Sequence, residues 1–194
     1  MTEAEIREAK RNLRREGLAA RRGLTMDQRA EYSQRIMDTL LEQPEYLAAK
    51  CVFAYSAMEE EVHTEELLTM MMSMGKKVCL PFVVGVHHMD PVWLRSIADL
   101  EVGEYDIMTV KESAREIVPA EEIDCVIVPG VAFSRDGARL GIGGGYYDAF
   151  LARTGKASRL ALAYGCQIVD QVPQQEWDMK VDTIITEDEV IDCR

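Results

Sequence analysis

The chain has no CxxC pair, no histidines at metal-binding spacing, no internal repeat and no low-complexity tract. Its five cysteines (Cys51, Cys79, Cys125, Cys166 and Cys193) are odd in number and widely spaced, which argues against both a disulfide framework and a zinc site. Cys51, Cys79 and Cys125 fall inside apolar runs and read as small buried hydrophobes. His63, His87 and His88 form no ligand set. No stretch approaches the ~18 consecutive apolar residues of a membrane helix. Glu3, Glu5 and Arg7 open the sequence without an apolar run behind them, so no secretory signal is expected. A cytoplasmic location, no membrane association and a monomeric state are the expectations.

The composition, 47% hydrophobic and 29% charged over 194 residues, is that of one globular domain with a sizeable core. Net charge is −12 but unevenly placed. Residues 1–35 hold nine Lys/Arg against six Asp/Glu, and the remainder is strongly acidic. An acidic body repels nucleic acid, so no nucleic-acid partner is expected. The basic N-terminal stretch is either a solvated helix face or a local anion site.

Helical spacing runs through Ile6, Ala9, Leu13, Gly17 and Ala20, then through Ile36, Met37, Leu40 and Leu41 before Pro44. This predicts a helical N-terminal segment to about residue 43. Strands are predicted at 51–55, at 77–80 with a stop at Pro81, at 86–94 as a Pro91-interrupted edge, and at 124–128, 160–164 and 183–186. A helix capped by Thr64 carries Leu67, Leu68, Met71 and Met72 on one face. Residues 95–120 read as loop-rich. Fully apolar strands alternating with helices predict a single three-layer α/β/α domain over residues 1–194 with a mostly parallel sheet. Ligands of such sheets bind beyond the carboxyl ends of the strands, which directs attention to the loops 56–63 and 129–145.

In the second loop four of the five residues from Gly141 to Gly145 are glycine, directly before the helical spacing of Tyr146–Arg153. Glycine lets successive backbone N–H groups approach one anion, and a helix start adds its positive end. With Arg139 alongside, the loop suits a polyphosphate. Asp148 has two readings, a Mg²⁺ ligand opposite those phosphates or a partner for the helix dipole. The loop is neither a Walker A, lacking the following Lys-Ser/Thr, nor a dinucleotide fingerprint; a flexible βα turn is the weaker alternative. Lys10 and Arg14, four apart, share a helix face. Glu59, Glu60 and Glu61 place carboxylates after the first strand.

RLGIGGGYYDAFL, preceded by VIVPGVAFSRDG, resembles the signature of the 5-formyltetrahydrofolate cyclo-ligase family, and the resemblance runs over nearly the whole chain. Lys10–Arg14, Tyr55…Glu61-Val62-x-Thr64 and the closing Val172-Pro173…Asp178-Met179-x-Val181-Asp182 also match in order and spacing. The resemblance implies the architecture shared with sugar-phosphate isomerases and CoA-transferases. It also implies ATP- and Mg²⁺-dependent conversion of 5-formyltetrahydrofolate to 5,10-methenyltetrahydrofolate. On it, Lys10, Arg14 and the run Arg139, Leu140, Gly141, Ile142, Gly143, Gly144, Gly145, Tyr146 and Tyr147 bind ATP. Asp148 and Asp182 hold Mg²⁺, Glu61 recognises the folate, and residues 142–146 also touch substrate. Arg139 and Asp148 are the catalytic pair. The chain departs from the family pattern at Trp177 and around Tyr105-Asp106-Ile107. A non-catalytic folate or nucleotide binder, and an isomerase or CoA-transferase-like enzyme, are the competing readings.

Overall fold

A computed structural model of the chain describes residues 1–103 and 107–194, so the Tyr105-Asp106 departure lies outside the described residues. Helix α1 (Glu3–Arg22) and helix α2 (Met26–Leu41) each open with a reciprocal cap. Thr2 and Thr25 accept the N–H three residues on, while the Glu5 and Gln28 side chains accept the threonine N–H groups. Pro44 ends one helix and begins the next. It is the first residue of α3 (Pro44–Ala48), where a missing N–H costs no intrahelical bond.

The chain continues through β1 (Cys51–Phe53), α4 (Glu65–Ser73), β2 (Lys77–Gly85), β3 (His88–Leu94), β4 (Leu100–Val102), β5 (Met108–Val110), β6 (Cys125–Val128), β7 (Ala132–Ser134) and β8 (Arg139–Leu140). It ends with α5 (Tyr146–Leu151), β9 (Ser158–Leu162), β10 (Ile168–Val169), β11 (Thr183–Ile185) and β12 (Val190–Asp192). The main sheet has the order β12-β11-β9-β6-β1-β2-β3. Its five inner strands run parallel, and the two edges, β3 and β12, run antiparallel. Small sheets β10-β7-β8 and β4-β5 flank it.

Strand alternation divides the core. Val52, Val78, Leu80, Ile127 and Leu160 pack with Leu40, Leu67 and Met71 on the side of α2 and α4. Phe53, Cys79, Val126, Val128 and Ala161 pack with Phe150 and Leu151 of α5 on the other side. Both faces are covered, which is the expected α/β/α layering. Cys51, Cys79 and Cys125 are buried, and burial pushes the Cys125 thiol up to about 12. No described helix is long and apolar enough to cross a membrane.

Four local expectations are corrected or refined. Pro81 does not stop its strand: β2 continues to Gly85 beyond the end of β1, paired with β3. Pro81 faces Pro91, whose carbonyl accepts from Val118 on the opposite side, so the proline pair occupies a position where the two strands exchange no hydrogen bonds. The loop-rich stretch 95–120 also carries the short β4–β5 ladder, for which no strand was predicted. Thr64 precedes α4, yet its hydroxyl donates to Tyr55 O at 2.8 Å and accepts from Ala57 N at 3.1 Å, bracing the loop after β1 instead of capping the helix. Finally, of the stripe through Ile6, Ala9, Leu13, Gly17 and Ala20 only Gly17 is fully buried, and the other fully buried residues of α1 are the charged Lys10 and Arg21 beside it. A Cβ on Gly17 would lie 2.8 Å from both Val131 Cγ1 and the Val131 carbonyl oxygen. The glycine therefore lets α1 sit directly on the loop after β6.

Candidate functional site

A cavity of about 1150 Å³ opens over the carboxyl ends of β1 and β6, bounded by both loops singled out from the sequence. Its floor includes Tyr55, Ser56, Pro129 and Gly130, and its walls are α1, the glycine loop and the β2–β3 hairpin.

The loop Gly141–Gly145 joins β8 to α5. Gly143 at φ +113° and Gly145 at φ +68° hold backbone that side chains rarely adopt. Arg14 reaches from α1 to donate its Nε to Gly141 O at 2.9 Å. At the far side His87, itself at φ +56°, contacts Gly144 O through Nδ1. The loop is thus held from both sides. Ile142 is exposed, Leu140 is buried behind the loop, and Tyr146 opens α5 beside the cavity.

Arg139 is almost fully buried and donates to Asp148 Oδ1 at 2.9 Å. Met179 N–H donates to the same oxygen at 3.1 Å. Asp148 lies in the first turn of the six-residue α5, and its Oδ1 accepts from both of these groups. An ion pair is thus added to its place at the helix start. The Arg139 Nε and the buried Tyr147 hydroxyl have no hydrogen-bond partner among the described residues. Unpaired buried polar groups facing a cavity are what a polar ligand satisfies.

Lys10 is also not a solvated side chain. It is buried in an ion pair with Asp178 and contacts Gln175 Oε1 at 3.2 Å. Burial lowers the Arg14 pKa, and the carboxylates of Asp178 and Asp148 oppose that shift. Three cations and two carboxylates thus converge at one end of the cavity.

Glu61 also lines the cavity, on a tight turn in which its N–H donates to Met58 O and its Oε2 accepts from Met58 N at 3.0 Å. Tyr55 donates to Val62 O, and Tyr164 donates to Glu61 O at 2.9 Å, so the turn is fixed from the core. Burial raises the Glu61 pKa, opposed by the Met58 N–H and by Arg21.

Asp182 is the one predicted ligand that is not brought to this cavity. Strand β11 runs parallel to β9, so Asp182, which precedes it, sits at the amino edge. Its Oδ2 accepts from Arg159 N at 2.8 Å and ties the start of β9. Asp124 does the same for β1, accepting from Lys50 N and Cys51 N. Asp178, four residues earlier, does line the cavity together with Asp148 and Glu61, and no periodicity in the sequence singled it out. Among the described residues no group of three or more His, Cys, Asp or Glu side chains is arranged to hold a metal ion.

A mostly parallel α/β sheet with a glycine loop flanked by Arg14 and Arg139 at its carboxyl edge defines the chain as an α/β protein whose ligand cavity lies beyond the strand ends. The chain belongs to the 5-formyltetrahydrofolate cyclo-ligase family, whose model matches residues 6–187, and it is thereby a ligase of folate metabolism. The mouse 5-formyltetrahydrofolate cyclo-ligase is 33% identical over 199 residues, a match covering 97% of this chain and 98% of the mouse protein. The protein of that name from Escherichia coli K12 is 29% identical over 174 residues, covering 88% and 96%. Among solved structures, the Aquifex aeolicus 5,10-methenyltetrahydrofolate synthetase superimposes with a TM-score of 0.85 at 34% identity, covering 95% of this chain and 93% of that one. The Mycoplasma pneumoniae synthetase, at 22% identity and a TM-score of 0.74, shares the fold.

Proposed function

We propose that this chain converts 5-formyltetrahydrofolate to 5,10-methenyltetrahydrofolate, using ATP and releasing ADP and phosphate. The observation that carries the reading is a single cavity lined by Lys10, Arg14, Arg139, the glycine loop and the buried Glu61. Phosphoryl transfer asks a protein for positioning and charge neutralisation more than for a nucleophile. The loop N–H groups of residues 141–147 and the three cations take the triphosphate. Glu61 accepts from the N–H donors of the pterin ring, a pairing with a carboxylate that strengthens the hydrogen bonds. Residues 142–146 lie where the two substrates meet.

In the first step the formyl oxygen attacks the γ-phosphorus: an O–P bond forms, the bond to the bridging oxygen breaks, and ADP leaves. N10 then attacks the activated carbon and loses its proton. The carbon–oxygen bond breaks, and phosphate departs with the former formyl oxygen. Arg139 counters the charge that builds on the transferring group.

Mg²⁺ fits one end of this cavity but not the pair named from the sequence. A small hard cation takes one or two carboxylates and completes its shell with phosphate oxygens and water. Asp148, with Oδ2 free of protein partners among the described residues, and Asp178 supply such carboxylates; Asp182 does not. When bound, Mg²⁺ supplies charge neutralisation on the β- and γ-phosphates.

The direct assay follows the methenyl chromophore on mixing the protein with 5-formyltetrahydrofolate. Product is expected only with both ATP and Mg²⁺, with one ADP released per product; ATP-independent turnover or release of AMP would contradict the proposal. Lys10→Ala and Arg14→Ala are each expected to raise the ATP KM roughly tenfold to hundredfold, from ~1.5–3 kcal/mol per charge-assisted contact. An unchanged KM in folded variants would confine Lys10 to its ion pair with Asp178 and Arg14 to bracing Gly141.

A further inference from the structure

Arg21 is a buried cation that the reading above does not use. Its side chain is 3% exposed, and it stands on the same face of α1 as Lys10, Arg14 and Gly17. From there NH1 lies 3.8 Å from Glu61 Oε1 and NH2 lies 3.9 Å from Glu60 Oε2. NH1 also donates weakly to Gly130 O at 3.4 Å, and Nε has no partner among the described residues. The two glutamates are not equivalent. Glu60 is partly exposed and already accepts from Arg22 Nε at 2.8 Å. Glu61 is buried, and Arg21 is its only ion-pair partner among the described residues.

The other groups around Glu61 do not neutralise it. The Met58 N–H donates to one oxygen. Tyr55 gives its hydroxyl proton to Val62 O, and Tyr147, facing from α5, carries a neutral hydroxyl whose pKa burial pushes up. Glu60 adds a like charge. A carboxylate in such a place stays ionised only if a cation offsets the loss of water.

We propose that Arg21 is a positioning residue for folate binding: it keeps Glu61 ionised and aimed at the pterin, and it acts through Glu61 and not on the substrate. The inference rests on the reading of Glu61 as the folate carboxylate. One face of α1 then serves both substrates, Lys10 and Arg14 at the triphosphate and Arg21, eleven residues after Lys10, behind the carboxylate. The Gly17–Val131 contact is the close approach that allows this.

The test is the pH profile of kcat/KM for the folate in four variants, with ATP KM measured alongside. An opposite charge within ~4–6 Å lowers a carboxyl pKa by about 1–3 units. Arg21→Met is therefore expected to move the acid limb up by about that much, leaving the ATP KM unchanged, and Arg21→Lys to return the limb toward its original place. In the Glu61→Gln background, Arg21→Met is expected to add no further loss, because the group through which it acts is gone; this double variant also lacks the uncompensated buried charge that could prevent the single one from folding. An unmoved limb in folded Arg21→Met, or an additional loss of folate binding in the Glu61→Gln background, would overturn the proposal. A wild-type folate KM in Glu61→Gln alone would instead overturn the reading of Glu61, and the role of Arg21 with it.

Discussion

Arg139→Met is expected to lose at least about 100-fold in kcat and to melt at a lower temperature than the parent protein. Two separate consequences converge on this residue. The guanidinium is nearly fully buried, and its removal leaves Asp148 without its cation. Breaking a buried pair from one side costs ~3–5 kcal/mol, and the lower figure applies here because Asp148 keeps about a fifth of its surface. On the proposed mechanism, the activity loss comes from the absence of a fixed positive charge beside the transferring phosphoryl group, and removal of one such stabiliser costs about 10²–10³ in rate. Arg139→Lys keeps the charge but not the planar fork that serves Pro129 O and Asp148 together, so it is expected to recover stability better than turnover. Steady-state kinetics with thermal melts on both variants check this. Turnover within tenfold of the parent in a folded Arg139→Met would remove Arg139 from the chemistry.

The second large effect separates two aspartates that the family resemblance treats alike. Asp148→Asn is expected to lose at least ~100-fold in kcat and to regain part of it when Mg²⁺ is raised, because an amide oxygen carries no full charge to hold a hard cation. Its melting temperature is expected to fall too, since Arg139 is left uncompensated. A role limited to the helix dipole would be worth only ~0.3–1 kcal/mol and would leave turnover intact. Asp182→Ala is expected to behave oppositely: kcat stays within a few-fold, with a stability loss of about 1 kcal/mol for the missing bond to Arg159 N. Mg²⁺ titrations of kcat in the two variants decide the matter. A Mg²⁺-dependent defect in Asp182→Ala would return that residue to the metal.

The sheet and the two loops were legible because their signals are local. Apolar strands such as Cys125–Val128 need no knowledge of their neighbours, and glycines at Gly143 and Gly145 announce backbone that only glycine adopts freely. Asp182 was misplaced because its role depends on strand direction, which a three-residue strand does not encode by itself. Asp178 was missed for the complementary reason: it reaches the cavity from an irregular loop anchored to Lys10 and Asp148, contacts 168 and about 30 residues distant in sequence. The burial of α1 on its cationic stripe was equally hidden. Periodicity points to the apolar face, and the charged face is buried only because it closes a polar cleft. One signal was available, since Lys10, Arg14, Gly17 and Arg21 follow the same helical spacing.

Transfer of the formyl oxygen to phosphate is the step on which the whole account depends. It is measured by supplying 5-formyltetrahydrofolate labelled with ¹⁸O in the formyl group, together with Mg–ATP, and analysing the released phosphate by mass spectrometry. If ATP activates that oxygen in this cavity, each phosphate carries one ¹⁸O atom and the ADP carries none. Label appearing in water, with unlabelled phosphate, would mean that ATP hydrolysis and ring closure are separate events and would contradict the account.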